Sequence, residues 1–188
     1  MRKIRIPCTL STMLSVLFAS LALAQTPANG HIGANAYTNN YLNFSYTWPK
    51  SLFPIDKSQL NIPTPPPGGN DFVLFSARRG DQPNGIILMA LKQTGTAQNP
   101  RFKDGVALLD QVLSRFGPDN HLKILARTHP TNPDGMVFDE VDYQANGEFA
   151  AGVVTRIDQY FVVFRINAQS AVDLAELTKS ALAAQKLK

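Results

Sequence analysis

The sequence predicts an α+β domain: a largely antiparallel, twisted sheet of six to eight strands with helices packed on it. Three observations carry this. Strand-like stretches follow one another across short turns rich in Asn, Gly, Pro and Asp, which makes consecutive strands antiparallel neighbours. Two longer stretches, 101–116 and 168–186, repeat their apolar residues at helical spacing instead. The resulting order is strands, helix, several strands, helix, with no internal repeat.

The 188 residues suffice for one domain with a hydrophobic core. Residues 1–24 are expected to be a cleaved signal peptide. Arg2, Lys3 and Arg5 give a positive start, residues 10–23 are mostly apolar, and Ala22-Leu23-Ala24 offers small residues for cleavage. The apolar run, about 14 residues, is shorter than the ~20 a spanning helix needs. The expectation is therefore an exported protein, periplasmic or extracellular, with no stable membrane span after cleavage. Residues 25–35, rich in Gly, Asn, Pro and Ala, read as a flexible tail before a single domain at 36–188.

The whole chain carries a formal net charge of +4, but without Arg2, Lys3 and Arg5 it has 15 basic residues against 14 acidic ones. So nearly neutral a domain lacks the footprint of a nucleic-acid binder. The only cysteine, Cys8, lies in the signal, so the exported part has neither disulfide nor thiolate ligand.

The domain opens on Tyr37-Thr38-Asn39-Asn40-Tyr41-Leu42-Asn43-Phe44-Ser45-Tyr46-Thr47-Trp48-Pro49. Phe44, Tyr46 and Trp48 alternate with small polar residues, the period of a half-buried strand. Tyr37 and Tyr41 sit on a preceding strand, with a turn near Asn39-Asn40 or Leu42-Asn43, and Pro49, lacking an N–H, ends the second strand. Residues 55–60 have weak helical character, and 62–70, with four prolines and two glycines, form a loop. Residues 72–78 and 85–92 read as strands joined by a turn-rich loop. Both are apolar at nearly every position, which implies cover on both faces.

The helix at 101–116 places Val106, Leu109, Val112, Leu113 and Phe116 on one side, and Gly117-Pro118 stops it. A strand at 121–128 has Leu122, Ile124 and Ala126 on one face. Asn132-Pro133-Asp134-Gly135 turns the chain into a meander of strands at 136–144, 148–157 and 160–166, with turns at Asn146-Gly147 and Asp158-Gln159. In the closing helix, Ser170 is the expected cap and Val172, Leu174, Ala175, Leu177, Ala181 and Leu182 the buried side.

The aromatic opening and the later Phe75-Ser76 strand resemble the Mog1/PsbP-like α/β/α sandwich family, whose opening is followed by a sheet strand, hairpin, helix, meander and C-terminal helix. The resemblance extends over 36–187. It implies a sandwich and a mostly non-enzymatic role. Members include photosystem II accessory subunits, partners of a small GTPase, and exported bacterial proteins of unassigned role. The last group is nearest, since nothing in these residues speaks for a photosystem or GTPase partner.

Chemistry is sparse. His31, His121 and His129 are the only histidines. His121 and His129 share a face of one expected strand but stand roughly 26 Å apart, too far to share an ion. Asp139, Glu140 and Asp142 form the densest acidic group, with Glu140 and Asp142 on one face. They suit acid–base work or calcium, or else a solvated edge pairing with Arg156 or Arg165. No serine elbow, S-x-x-K or phosphate loop occurs, and no cofactor is expected. Arg78 and Arg79 at a strand end could hold an anion, or simply face solvent. Tyr46 and Trp48 could line a ligand groove, or belong to the core, with Trp48 nearer the surface.

The expected function is an exported, non-catalytic domain that binds or assists another envelope protein. The alternatives are a carrier of a small ligand between sheet and helix, or a hydrolase whose first suspects are Asp139, Glu140, Asp142 and His129.

Overall fold

A computed structural model describes residues 26–56, 59–60, 70–80, 84–96, 98 and 100–187. Residues 1–24, expected to be a signal peptide, and nearly all of the proline-rich loop lie outside the described residues. The described residues form two α-helices and two antiparallel sheets, an α+β fold.

The smaller sheet grows from the opening hairpin. β2 (Ala36–Asn39) and β3 (Phe44–Thr47) pair across a turn in which Asn43 takes a left-handed φ of 49°. The Asn39 amide locks that turn: its oxygen accepts from the Leu42 N–H at 3.0 Å and its nitrogen donates to the Pro27 carbonyl at 2.7 Å. β1 (His31–Ile32) pairs with β2, so the stretch expected to be a flexible tail contributes an edge strand. Backbone pairing, which composition does not reveal, orders it.

The larger sheet runs β4 (Phe53–Pro54), β5 (Asp71–Arg78), β6 (Gly85–Lys92), β10 (Tyr160–Ala168), β9 (Glu148–Ile157), β8 (Phe138–Ala145), β7 (Lys123–Thr128). Every pairing is antiparallel. The Asn146-Gly147 turn has φ of 52° and 85°, the two positive values of a type I′ hairpin. β4 comes just before the stretch of weak helical character at 55–60: Phe53 and Pro54 pair with Arg78 and Ala77, the Ile55 N–H donates to the Ser76 carbonyl, and the Gln59 N–H then donates to the Asp56 carbonyl at 3.0 Å, the bond of a 3₁₀ turn. β7 is an edge strand, and a bulge between Ile124 and Ala126 breaks the alternation read there. His121 is not on that strand; it ends a short 3₁₀ turn at φ 47°.

Successive side chains of a strand point to opposite faces, and β10 supplies both. Tyr160, Val162, Phe164 and Ile166 join a core that includes the small sheet and α2 (Ala171–Leu182). Phe161 and Val163 join a second core that includes α1 (Gly105–Leu113).

α1 is shorter than the periodicity suggests. Asp104 starts it, accepting from the Ala107 N–H at 2.8 Å, and Ser114 ends it. In α2, the Ser170 hydroxyl accepts from the Asp173 N–H at 3.1 Å. Its buried stripe is Leu174, Leu177, Thr178 and Ala181, whereas Val172 is 79% exposed. The helix stops at Leu182 because the chain turns into β11 (Gln185–Lys186), which pairs with β3.

The Phe75 ring meets Tyr37, Tyr46 and Trp48, with centroids 5.9, 6.0 and 4.6 Å away. Phe75→Ala is expected to cost roughly 3–5 kcal/mol and to red-shift the emission of Trp48, the only tryptophan. Urea titration followed by fluorescence checks both; an unchanged midpoint would remove Phe75 from the centre of the fold.

Candidate functional site

The second core is not closed. Between α1 and the large sheet lies a cavity of about 370 Å³. Its floor follows from strand register. Leu91 of β6 lies opposite Phe161 of β10, Met89 opposite Val163, and Ile87 opposite Arg165, which in turn faces Gly152 of β9. Met89, Leu91, Val163, Gly152 and Arg165 line the cavity. Leu109, Val112 and Phe116 wall it from the α1 side.

Four local devices position α1. Gly152 leaves room for Leu109: a Cβ there would stand 2.5 Å from Leu109 Cδ2. Gly105 leaves room for the Asp139 carboxylate, into which a Cβ would run. The Gln93 side chain brackets Phe102, accepting from its N–H at 3.1 Å and donating to its carbonyl. Arg127 Nη2 reaches Asp110 Oδ1 at 2.7 Å, tying β7 to the helix.

Among the lining residues, Arg101 forms a two-pronged ion pair with Asp71, one bond of which is 2.7 Å. The hydrogen bond to Asp71 holds the Arg101 pKa above its ordinary value. Arg165 and Arg115 also line the cavity; both are exposed, and among the described residues no carboxylate forms an ion pair with either. Burial pushes the Tyr143 hydroxyl up, and the nearby Arg165 cation pulls it back.

The residues singled out from the sequence lie elsewhere. Tyr46 and Trp48 are 1% and 3% exposed, so Trp48 does not reach the surface. Trp48 stacks on Phe75, and the Tyr46 hydroxyl meets Ser180 Oγ at 3.0 Å. Arg78 is exposed at the end of β5. Arg79 has protein partners instead: Asp173 at 2.7 Å, Glu176 at 3.2 Å and Ser51 Oγ at 3.0 Å, joining β5 to α2.

The four hydrolase suspects do not converge. His129 Nδ1 lies 2.7 Å from Asp139 Oδ1 on the α1 side. Glu140, which accepts from the Thr128 hydroxyl, and Asp142 alternate with Asp139 and face the other way. The expected pairing with Arg156 or Arg165 does not form. Arg156 bonds the Asp158 carbonyl, and Arg165 faces the cavity. Among the described residues no group of three or more His, Cys, Asp or Glu could hold a metal ion.

A site between sheet and helix was among the alternatives, but the residues that line this cavity escaped sequence reading. The available signal was Arg165, the one charged residue of a mostly apolar strand.

No family model matches the chain, and no curated protein does. Among solved structures it is similar to cyanobacterial PsbP (CyanoP) from Synechocystis sp. PCC 6803, with a TM-score of 0.56 and 12% identity, over 84% of this chain and 98% of that one. The chain therefore has a PsbP-like fold.

Asp142 yields a pH prediction. Burial, then the neighbouring Glu140 charge, pushes its pKa up to about 6, and its Oδ1 has no hydrogen-bond partner. The folded state keeps this proton to higher pH than the unfolded chain, so the group lowers stability as pH rises from about 4 to about 6. The loss persists above that window. Asp142→Asn is expected to flatten the slope and add about 1 kcal/mol at pH 7, discounted for partial exposure. Urea midpoints at pH 4 and 7 measure it; an unchanged pH 7 midpoint would contradict it.

Proposed function

We propose that the chain is an exported, non-catalytic binding domain that assists another cell-envelope component, and that the cleft beneath α1 is its binding site. The cleft itself carries this reading. Its walls are mostly apolar side chains with a few charged groups at the ends, the composition of a recognition site. Among the described residues its lining has no His, Cys, Ser or Thr, and its sole carboxylate, Asp71, is paired with Arg101. The Tyr143 hydroxyl is left as the one other ionisable acid, and burial raises its pKa away from neutral, which disfavours an acid–base pair or an activated nucleophile there.

The positive start, apolar run and small-residue cleavage pattern of 1–24 support export. Among the described residues no helix is long and apolar enough to cross a membrane. The layering of α2 with the small sheet, the large sheet, then α1 supports the α/β/α sandwich of the family.

One observation favours a second reading, the small-ligand carrier. A cavity of about 370 Å³ falls within the range of small-molecule sites.

The test is retention of envelope proteins by the immobilised exported chain, with mass spectrometry of what is held. Val112 lines the cleft and is 38% exposed, so Val112→Trp fills the cleft from its rim. A partner held by the native chain is expected to be lost from the variant, with circular dichroism unchanged. The same partner held equally by both would move the binding surface off α1.

A further inference from the structure

Resting on the reading of the cleft as a binding site, we propose that its ligand is a small amphiphilic anion: an apolar chain or ring ending in a carboxylate. The head sits on Arg165 and the body lies along the floor beneath α1.

Strand register sets this polarity. Arg165 lies opposite Ile87 on one side and Gly152 on the other, so neither neighbouring strand offers it a counter-charge. Asp71 lies opposite Leu91, four residues along β6 from Ile87, which is roughly 13 Å. The cleft thus has one neutralised end, where Arg101 clasps Asp71, and one cationic end. Between them Met89 and Val163 form an apolar step.

Charge decides the ligand class. Among the described residues Arg165 and Arg115 form no ion pair, and both are exposed, so an incoming carboxylate would exchange water for charge-assisted hydrogen bonds, for which the guanidinium fork is suited. Tyr143, on the same lining, adds a hydroxyl donor. A cationic ligand would meet two arginines and only a carboxylate already paired. A neutral ligand would bury the same apolar surface without the hydrogen bonds. The small volume and apolar floor favour a compact amphiphile over an extended polar chain.

The experiment is calorimetric titration of the full exported chain with octanoate, octan-1-ol and octyltrimethylammonium. Octanoate is expected to bind one to one and about tenfold more tightly than octanol, with the ammonium weakest. Arg165→Gln should lower octanoate affinity to the octanol level and leave octanol unchanged, while Arg165→Lys restores part of the difference. Equal binding of octanoate and octanol, preference for the ammonium, or octanoate binding indifferent to Arg165→Gln would overturn the inference and leave an apolar binding site. If no probe binds while a partner protein is retained and lost in Val112→Trp, the inference fails and the binding reading stands. If no probe binds and no partner is retained, both fail.

Discussion

The fold depends on one aromatic contact. Phe75, on the second strand of the large sheet, is fully buried beneath three rings of the opening hairpin. Tyr46 extends the contact to Phe164, 5.0 Å away on the central strand β10. A two-stranded hairpin is marginal by itself in water. Here it gains a hydrophobic floor, and β11 joins it after α2. The Leu187 N–H also donates to the Asn43 carbonyl, so the end of the chain is tied to the hairpin turn. Asn132 reaches in from the β7–β8 connection and donates to the Ala184 carbonyl at 2.6 Å. The hairpin, the closing helix and the meander are thereby held as one body.

That solid packing on one face contrasts with the other. α1 has only nine residues and rests on the sheet where glycine allows close approach, at Gly152 under Leu109. Beyond that point, lined by Val112 and Phe116, the cleft remains. One face of the sheet is thus built for stability, with large aromatic rings interlocked. The opposite face combines a short helix, an apolar floor and two exposed arginines that form no ion pair among the described residues.

Much of the architecture was legible in the sequence because it rests on local signals. The alternation of Phe44, Tyr46 and Trp48 marked β3, and Asn146-Gly147 marked the sharpest turn of the meander. The doubly apolar strands 72–78 and 85–92 implied cover on both faces. What escaped was non-local. β4 and β11 are two-residue strands defined by partners far along the chain, and β1, though it pairs with the nearby β2, is too short to carry a pattern. The site was less legible still. Tyr46 and Trp48 were visible as aromatic candidates, but Phe75, which covers the Trp48 face, lies 27 positions along the chain. Arg79 meets Asp173 across 94 positions, a pairing no local pattern announces. Arg165 was visible as a charge, and only the register of β6, β9 and β10 shows that it faces the cleft without a carboxylate beside it.

Methyl-resolved NMR of residues 25–188, before and after addition of envelope extract, tests most directly whether the cleft beneath α1 is a binding site. Signals of Met89, Leu91, Val112 and Val163 should move together, while those of Leu174 and Leu177 beneath α2 stay in place. Unmoved cleft methyls, with shifts instead around the exposed Val172 or Val137, would contradict it.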